Sequence, residues 1–295
     1  MMKETVVDPE VVVMKRSRIG EGAIWDIKKS LLYWVDILSG EVCIFNPTTG
    51  ENRIIQTCQA VGTVVPRASG GLLVALHNGI ASINLETEKL TLLADPEWDI
   101  PSNRFNDGKC DPAGRFWAGT MEFSGEIGKG ALYCFDTEGV VTKKVSPVSI
   151  SNGIIWSGDH KTMYYIDTLL DNVRAWDFDV ETGEISNERV VIENQGSGHF
   201  DGMSIDEEGM LWIAMAGGWA VRRFDPGSGR QLESLKLPVS IVTSCAFGGE
   251  NLDELYITSI GDGFSDEQWK EEPLAGSLLR IKAPVRGVPS FSYEG

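Results

Sequence analysis

The chain has 295 residues, 42% of them hydrophobic, with 43 acidic side chains against 26 basic ones and a formal net charge of −17. The apolar content suffices for a packed core and excludes global disorder. The negative charge argues against a nucleic-acid backbone or an anionic membrane surface as partner. No apolar run approaches the roughly 18 residues of a membrane span. The opening segment, MMKETVVDPEVVVMKRSR, carries acidic residues and lacks the long apolar stretch of a signal peptide. The cysteines Cys43, Cys58, Cys110, Cys134 and Cys245 are odd in number and form no CxxC pair. That pattern points away from a disulfide framework or a structural zinc site and toward the cytoplasm.

Read in chain order, the residues predict strands almost throughout. A short apolar run at 11–14 comes first. Further β-rich runs follow at 31–37, 41–45, 72–76, 115–119, 131–135, 162–166, 173–178, 211–214, 254–258 and 277–281. Turn signals separate them at 47–50, 111–114, 158–160, 181–183, 206–209 and 225–229. One short helix is predicted over 265–272. An all-β chain of this kind is a sandwich, a barrel or a propeller.

Internal periodicity decides between them. Four segments align: GEGAIWDIKKSLLYWVD from Gly20, FNDGKCDPAGRFWAGT from Phe105, SNGIIWSGDHKTMYYID from Ser151 and FDGMSIDEEGMLWIAMA from Phe200. Their second positions are Glu21, Asn106, Asn152 and Asp201, and Gly22, Gly153 and Gly202 follow directly in three of them. Weaker copies near Gly62 and Ser244 put the equivalent position at 63 and about 245, so the units recur every 42 to 49 residues. A four-stranded blade takes about 40–50 residues. The expectation is therefore a single six-bladed β-propeller domain over 1–295, with the run at 11–14 pairing near 278–281 to close the last blade.

In a propeller the innermost strands line a central channel, so equivalent positions meet around the axis. Glu21, Asn106, Asn152 and Asp201 bring oxygen donors there, two of them anionic, which suits a hard divalent cation. Asp26, Asp111 and Asp206, five residues beyond the aligned positions, are read as turn formers. His77 and His160 are read as surface residues. His199 precedes the aligned Phe200–Asp201 pair and is read as a rim or solvated-loop residue. The chain contains no HExxH, GxSxG or phosphate-binding GxxxxGKS/T.

The motifs GEGAIW (20–25), NRFNDGKCDPAGRFWAGTM (103–121), GALYCFD (130–136), ISNGIIWS (150–157), YYID (164–167), DGMSIDEEGMLWIA (201–214), KLPVS (236–240) and TSCAFGG (243–249) resemble the regucalcin, gluconolactonase and luciferin-regenerating-enzyme family of six-bladed propellers. The resemblance spans nearly the whole chain. It implies a divalent cation held by Glu21, Asn152 and Asp201, with calcium the first choice and zinc, magnesium or manganese also admitted. It places Arg104 and Asn106 beside the cation, facing the substrate. After Met121 the chain departs from the regucalcin pattern. The loop EFSGEIGKG (122–130) is short and carries Ser124 where a sugar-contacting acid is expected, so Glu122, or alternatively Glu126, is assigned that contact.

The function these readings imply is metal-dependent hydrolysis of a sugar lactone to the aldonic acid, with Asp201 as general base. The alternatives are another metal-dependent esterase or phosphotriesterase on the same fold, or a calcium-binding regulatory protein without turnover. The expected partner is a small sugar lactone. The chain is read as a monomer or a weak homo-oligomer.

Overall fold

A computed structural model describes residues 3–295. Six antiparallel sheets follow one another in chain order and form a ring, as the repeat predicts. Their inner strands are Gly20–Asp26, Val61–Pro66, Asn103–Cys110, Ser151–Trp156, His199–Ile205 and Val242–Gly248. In the first five blades the chain then runs outward through three more strands, joined by short turns. The sixth blade is completed from the other end of the chain. Glu10–Val13 pairs antiparallel with Leu278–Lys282, matching Glu10 with Arg280 and Val11 with Leu279. This is the closure expected of the run at 11–14. Lys3–Val6 adds a fifth strand, parallel to Arg230–Lys236, on the outside of the fifth blade.

Each inner strand is flanked by two neighbouring blades, which explains its apolar and small residues. Asn103–Cys110 is buried at every position, whereas the outer strand Leu90–Ala94 is half-buried or exposed throughout. Aromatic rings fill the seams between blades. Trp117 packs edge-on against Trp156 at 5.9 Å, Trp212 against Phe247 at 5.7 Å, and Trp25 stacks on Tyr256 at 5.7 Å.

The three turn aspartates act as read. Asp111 Oδ1 accepts from the amides of Ala113 and Arg115 while its Oδ2 accepts from Trp117 Nε1 at 2.9 Å. Asp206 repeats the arrangement with Glu208, Met210 and Trp212. Asp26 takes the amides of Lys28 and Lys29. One carboxylate thus forms the turn and, in two of the three blades, also anchors the seam tryptophan.

The helix forms at Asp266–Glu271 behind a Ser265 capping box. No helix of the described residues is long and apolar enough to cross a membrane. The C-terminal tail was not legible from the periodicity. It runs across one end of the channel, where Gly287 bridges to Asp206, the Tyr293 amide donates to the Pro66 carbonyl, and the Glu294 amide donates to the Gly114 carbonyl.

Candidate metal centre and substrate site

Every inner strand breaks its ladder at the same level. The pairing register shifts after Glu21, Val61, Phe105, Asn152, Phe200 and Val242. A β-bulge re-aims the side chains beside it, so six bulges at one height turn six residues toward the axis. The equivalent positions are Glu21, Gly62, Asn106, Asn152, Asp201 and Thr243, which moves the two weak copies by one or two residues from the expected 63 and 245.

Among the described residues, the equivalent positions of the other two blades add no polar group to the channel mouth. A Cβ on Gly62 would lie 2.4 Å from the Asn106 carbonyl oxygen, so the neighbouring backbone fills that space. Thr243 turns its hydroxyl away, donating to the Gly20 carbonyl. Close approach also explains the repeated glycine after the site residues. A Cβ on Gly153 would meet the Asp201 carbonyl at 2.8 Å.

Glu21, Asn152 and Asp201 stand at equivalent positions beside the bulges of their blades and are all buried. The carboxyl groups of Glu21 and Asp201 lie within hydrogen-bonding reach of each other. Glu21 Oε2 also accepts from the Gly22 amide at 2.8 Å. Asn152 is oriented from behind: its Nδ2 donates to Thr168 Oγ1 at 2.7 Å, which turns its Oδ1 toward Asn106. Asn106 Nδ2 donates to the Ser151 carbonyl at 2.8 Å and to Asn152 Oδ1 at 3.2 Å. Arg104 Nη1 in turn donates to Asn106 Oδ1 at 2.7 Å and to the Phe105 carbonyl at 3.0 Å. Hydrogen bonds thus join Arg104, Asn106 and Asn152 into one chain, and the charge of the buried Glu21 beside Asp201 reaches Arg104.

Glu122 stands outside that network. Its Oε2 accepts from the Ser124 amide, the Ser124 hydroxyl and the Glu126 amide, at 2.7, 2.6 and 3.2 Å, closing the turn of the short loop. The hydroxyl bond to Ser124 is the main reason its pKa is held below the ordinary value. Glu126 pairs with Lys129 at the surface. Ser124 therefore does not leave a missing acid to be replaced; it is the partner that fixes Glu122. Two of the histidines are more enclosed than read, and the third is in solvent as read. His77 is half-buried, its Nε2 3.0 Å from the Pro101 carbonyl and its ring edge-on to Phe123 at 4.9 Å. His160 is half-buried against Phe291. His199 is exposed, 3.5 Å from Asp171.

Two residues of the channel escaped the sequence reading. Asp107 is buried, with Oδ1 on its own Gly108 amide at 2.7 Å and Oδ2 without a partner. The signal was its place in the bulge of FNDG, where other blades carry glycine. Thr168 lies outside the repeat, in the one-turn 3-10 helix Thr168–Leu170.

The electrostatics call for a cation. Burial is the largest cause that pushes Glu21 up to about 7, with the charge of Asp107 next. Burial and the nearby Glu21 raise Asp201 well above the usual carboxylate range. Burial pulls Arg104 down to about 10, against the pull of Glu21. Asp201 Oδ1 is buried with no hydrogen-bond partner, and buried carboxylates at such separation cannot all ionise without a counter-charge. Among the described residues no three His, Cys, Asp or Glu side chains form a ligand cluster on their own. The third donor here is the amide oxygen of Asn152. A donor set made only of oxygens fits a hard divalent cation.

Comparison with known proteins agrees with the motifs. Residues 19–261 match the SMP-30/Gluconolactonase/LRE-like region. Regucalcin of Xenopus laevis is 42% identical over 296 residues, covering 97% of this chain and 98% of its own. The structure of a calcium-binding protein, regucalcin, from Agrobacterium tumefaciens superposes with a TM-score of 0.96 at 28% identity, covering all of both chains. A luciferin-regenerating enzyme superposes with a TM-score of 0.91 at 31% identity, covering 98% of this chain and 100% of its own. The chain belongs to the SMP-30/gluconolactonase/LRE-like family.

Proposed function

We propose that the protein hydrolyses a sugar lactone to the corresponding aldonic acid with the help of one divalent cation held by Glu21, Asn152 and Asp201. The observation that supports this reading is the burial of Glu21 and Asp201 at equivalent blade positions, with the hydrogen-bonded chain Arg104–Asn106–Asn152 at the same level. A bound cation would supply Lewis acidity toward the lactone carbonyl and its developing negative charge. Calcium is the preferred ion, since the donors are hard oxygens and the similar protein from Agrobacterium tumefaciens is calcium-binding.

The chain's own residues have separate tasks. Asp201 takes a proton from the attacking water, its Oδ1 being free of other hydrogen bonds. The water oxygen adds to the carbonyl carbon, collapse of the tetrahedral adduct breaks the acyl C–O bond of the ring, and the proton held by Asp201 passes to the ring oxygen, which becomes the hydroxyl of the hydroxy acid. Arg104 and Asn106 hold ring hydroxyls and orient the carbonyl. Their mutual hydrogen bond at 2.7 Å keeps both in place before the substrate arrives. Glu122 has no part in this scheme, because the turn of its own loop holds one carboxylate oxygen.

The test is acid release from glucono-, galactono-, xylono- and arabinonolactone by chelated and calcium-loaded protein. Cation-dependent turnover of at least one lactone is expected. No cation-dependent turnover of any of them rejects the proposal, and faster hydrolysis of a phosphotriester would favour the other hydrolase reading. Tight calcium binding without turnover of either class would favour the regulatory one.

A further inference from the structure

The channel has a second end. The C-terminal halves of five inner strands line it with Ala23, Ile24, Ile155, Trp156, Ile205 and Phe247, among others, and the tail residues Val288–Phe291 cover it. The space enclosed is about 220 Å³. An apolar cavity of roughly 150 Å³ already takes up a molecule the size of benzene. Nothing in the lactonase reading uses this chamber.

Lys109 also lines it. The side chain is nine-tenths buried, at 9% exposure. Among the described residues it makes no hydrogen bond, and no carboxylate oxygen lies within the 4.0 Å of an ion pair. Its charge is felt at Glu21 and Cys245, deeper in the channel. An ammonium on a mostly buried stem without a direct partner is best met by an anion. No acidic side chain lines the chamber, so the net charge of −17 is carried elsewhere. Ser204 is already turned to the Cys245 carbonyl at 2.7 Å, and Lys109 is the lysine among the lining residues, with His160 at the tail end of the chamber.

We propose that this far chamber binds a small organic carboxylate with an apolar body, its head on Lys109 and its body among Ile24, Ile155, Trp156, Phe247 and Phe291. The site is separate from the cation mouth. It would admit an aromatic or short-chain acid when the tail segment 288–291 lifts. The apolar walls select against a polyhydroxylated sugar acid, so the product of the proposed hydrolysis is not its ligand.

The experiment is calorimetric titration of the full chain, in calcium buffer, with octanoate, phenylacetate and neutral 1-octanol. Saturable binding of a carboxylate is expected, weakened at least tenfold in Lys109→Met, with octanol affinity equal in both proteins. Ala246→Met, which fills the chamber, should weaken octanoate and octanol alike by a similar factor. The proposal is overturned if neither carboxylate binds saturably, or if Lys109→Met binds them as the parent does. Displacement of octanoate by gluconolactone would also overturn it, by placing the ligand at the other mouth. If Lys109→Met fails to fold, the decision passes to Ala246→Met, whose unchanged octanoate affinity would reject the site. Lactone turnover is measured separately, so the loss of one reading leaves the other standing.

Discussion

Asn152 Nδ2 donates to Thr168 Oγ1 at 2.7 Å, and Thr168 Oγ1 donates onward to the Phe200 carbonyl at 2.9 Å. Because the hydroxyl's proton is directed to Phe200, its lone pair receives the amide, and the Asn152 oxygen is left to accept from Asn106 Nδ2 at 3.2 Å. A residue outside the repeat thus chooses which atom of Asn152 is presented to the proposed cation. Removing a support of this kind typically costs 10- to 100-fold in affinity. Thr168→Val keeps the shape and removes the hydroxyl. Its calcium affinity, read by titration against a chelating dye, should fall by about tenfold or more. An unchanged affinity would show that Asn152 needs no such support.

Asp201→Asn separates chemistry from stability. The amide cannot act as a base, so kcat for lactone hydrolysis should fall by roughly 100-fold or more. Near-normal kcat would reject Asp201 as the base. The same change removes one of two buried carboxylates that repel each other in the absence of a cation. In chelator at pH 8 the variant should therefore melt higher than the parent, by about 2–4 °C per kcal/mol of relieved repulsion. A lower melting temperature would mean that the Glu21–Asp201 contact stabilises the fold even without a cation.

The dependence of cation rescue on pH has a definite sign. Glu21, ordinarily at 4.5, is raised to about 7 by burial and by Asp107, and Asp201 is raised as well. Between those pH values the folded protein without a cation holds protons that the unfolded chain has already released. Its stability therefore falls as pH rises from about 4.5 to about 7. A cation replaces those protons. The gap in melting temperature between calcium and chelator should then be small at pH 5 and large at pH 8. An equal gap at both would show that the carboxylates ionise freely.

A different carboxylate governs acid stability. Asp36, at 1% side-chain exposure, accepts from Lys15 Nζ at 2.7 Å and from the Arg18 and Ile19 amides at 3.2 Å each. Burial alone would raise its pKa, but the Lys15 bond and charge outweigh that and hold it below 3.8. Its contribution is complete above pH 3.8 and is lost as pH falls through the depressed value. Lys15 follows the closing strand Glu10–Val13, and Asp36 ends the second strand of the first blade. The pair therefore ties the ring closure to its neighbour. Lys15→Met strands Asp36 in the interior and should cost about 3 kcal/mol in denaturant unfolding at pH 7. A loss below about 1 kcal/mol would mean that the two backbone amides suffice.

The repeat made the ring visible in one dimension. Each blade must present similar residues to similar neighbours, so Glu21, Asn106, Asn152 and Asp201 could be aligned without coordinates, as could the turn aspartates and the closing strand. The long motif at 103–121 led to Arg104 by family resemblance. The weak copies at Gly62 and Thr243 slipped in register because neither puts a functional side chain into the mouth. Glu122 closes a turn inside its own loop through Oε2, a contact that alignment does not show.

Periodicity in the amino acids alone settled the number of blades and the oxygen-rich character of the axis, because those follow from local propensity repeated at a constant interval. Tertiary structure alone decided that Thr168 orients Asn152, that Asp107 joins the acids of the channel, and that the C-terminal tail roofs a chamber containing Lys109. Those contacts join residues from different blades or from outside the repeat. Their partners are set by how the inner strands bulge and close around the axis, and no spacing along the chain encodes that distance.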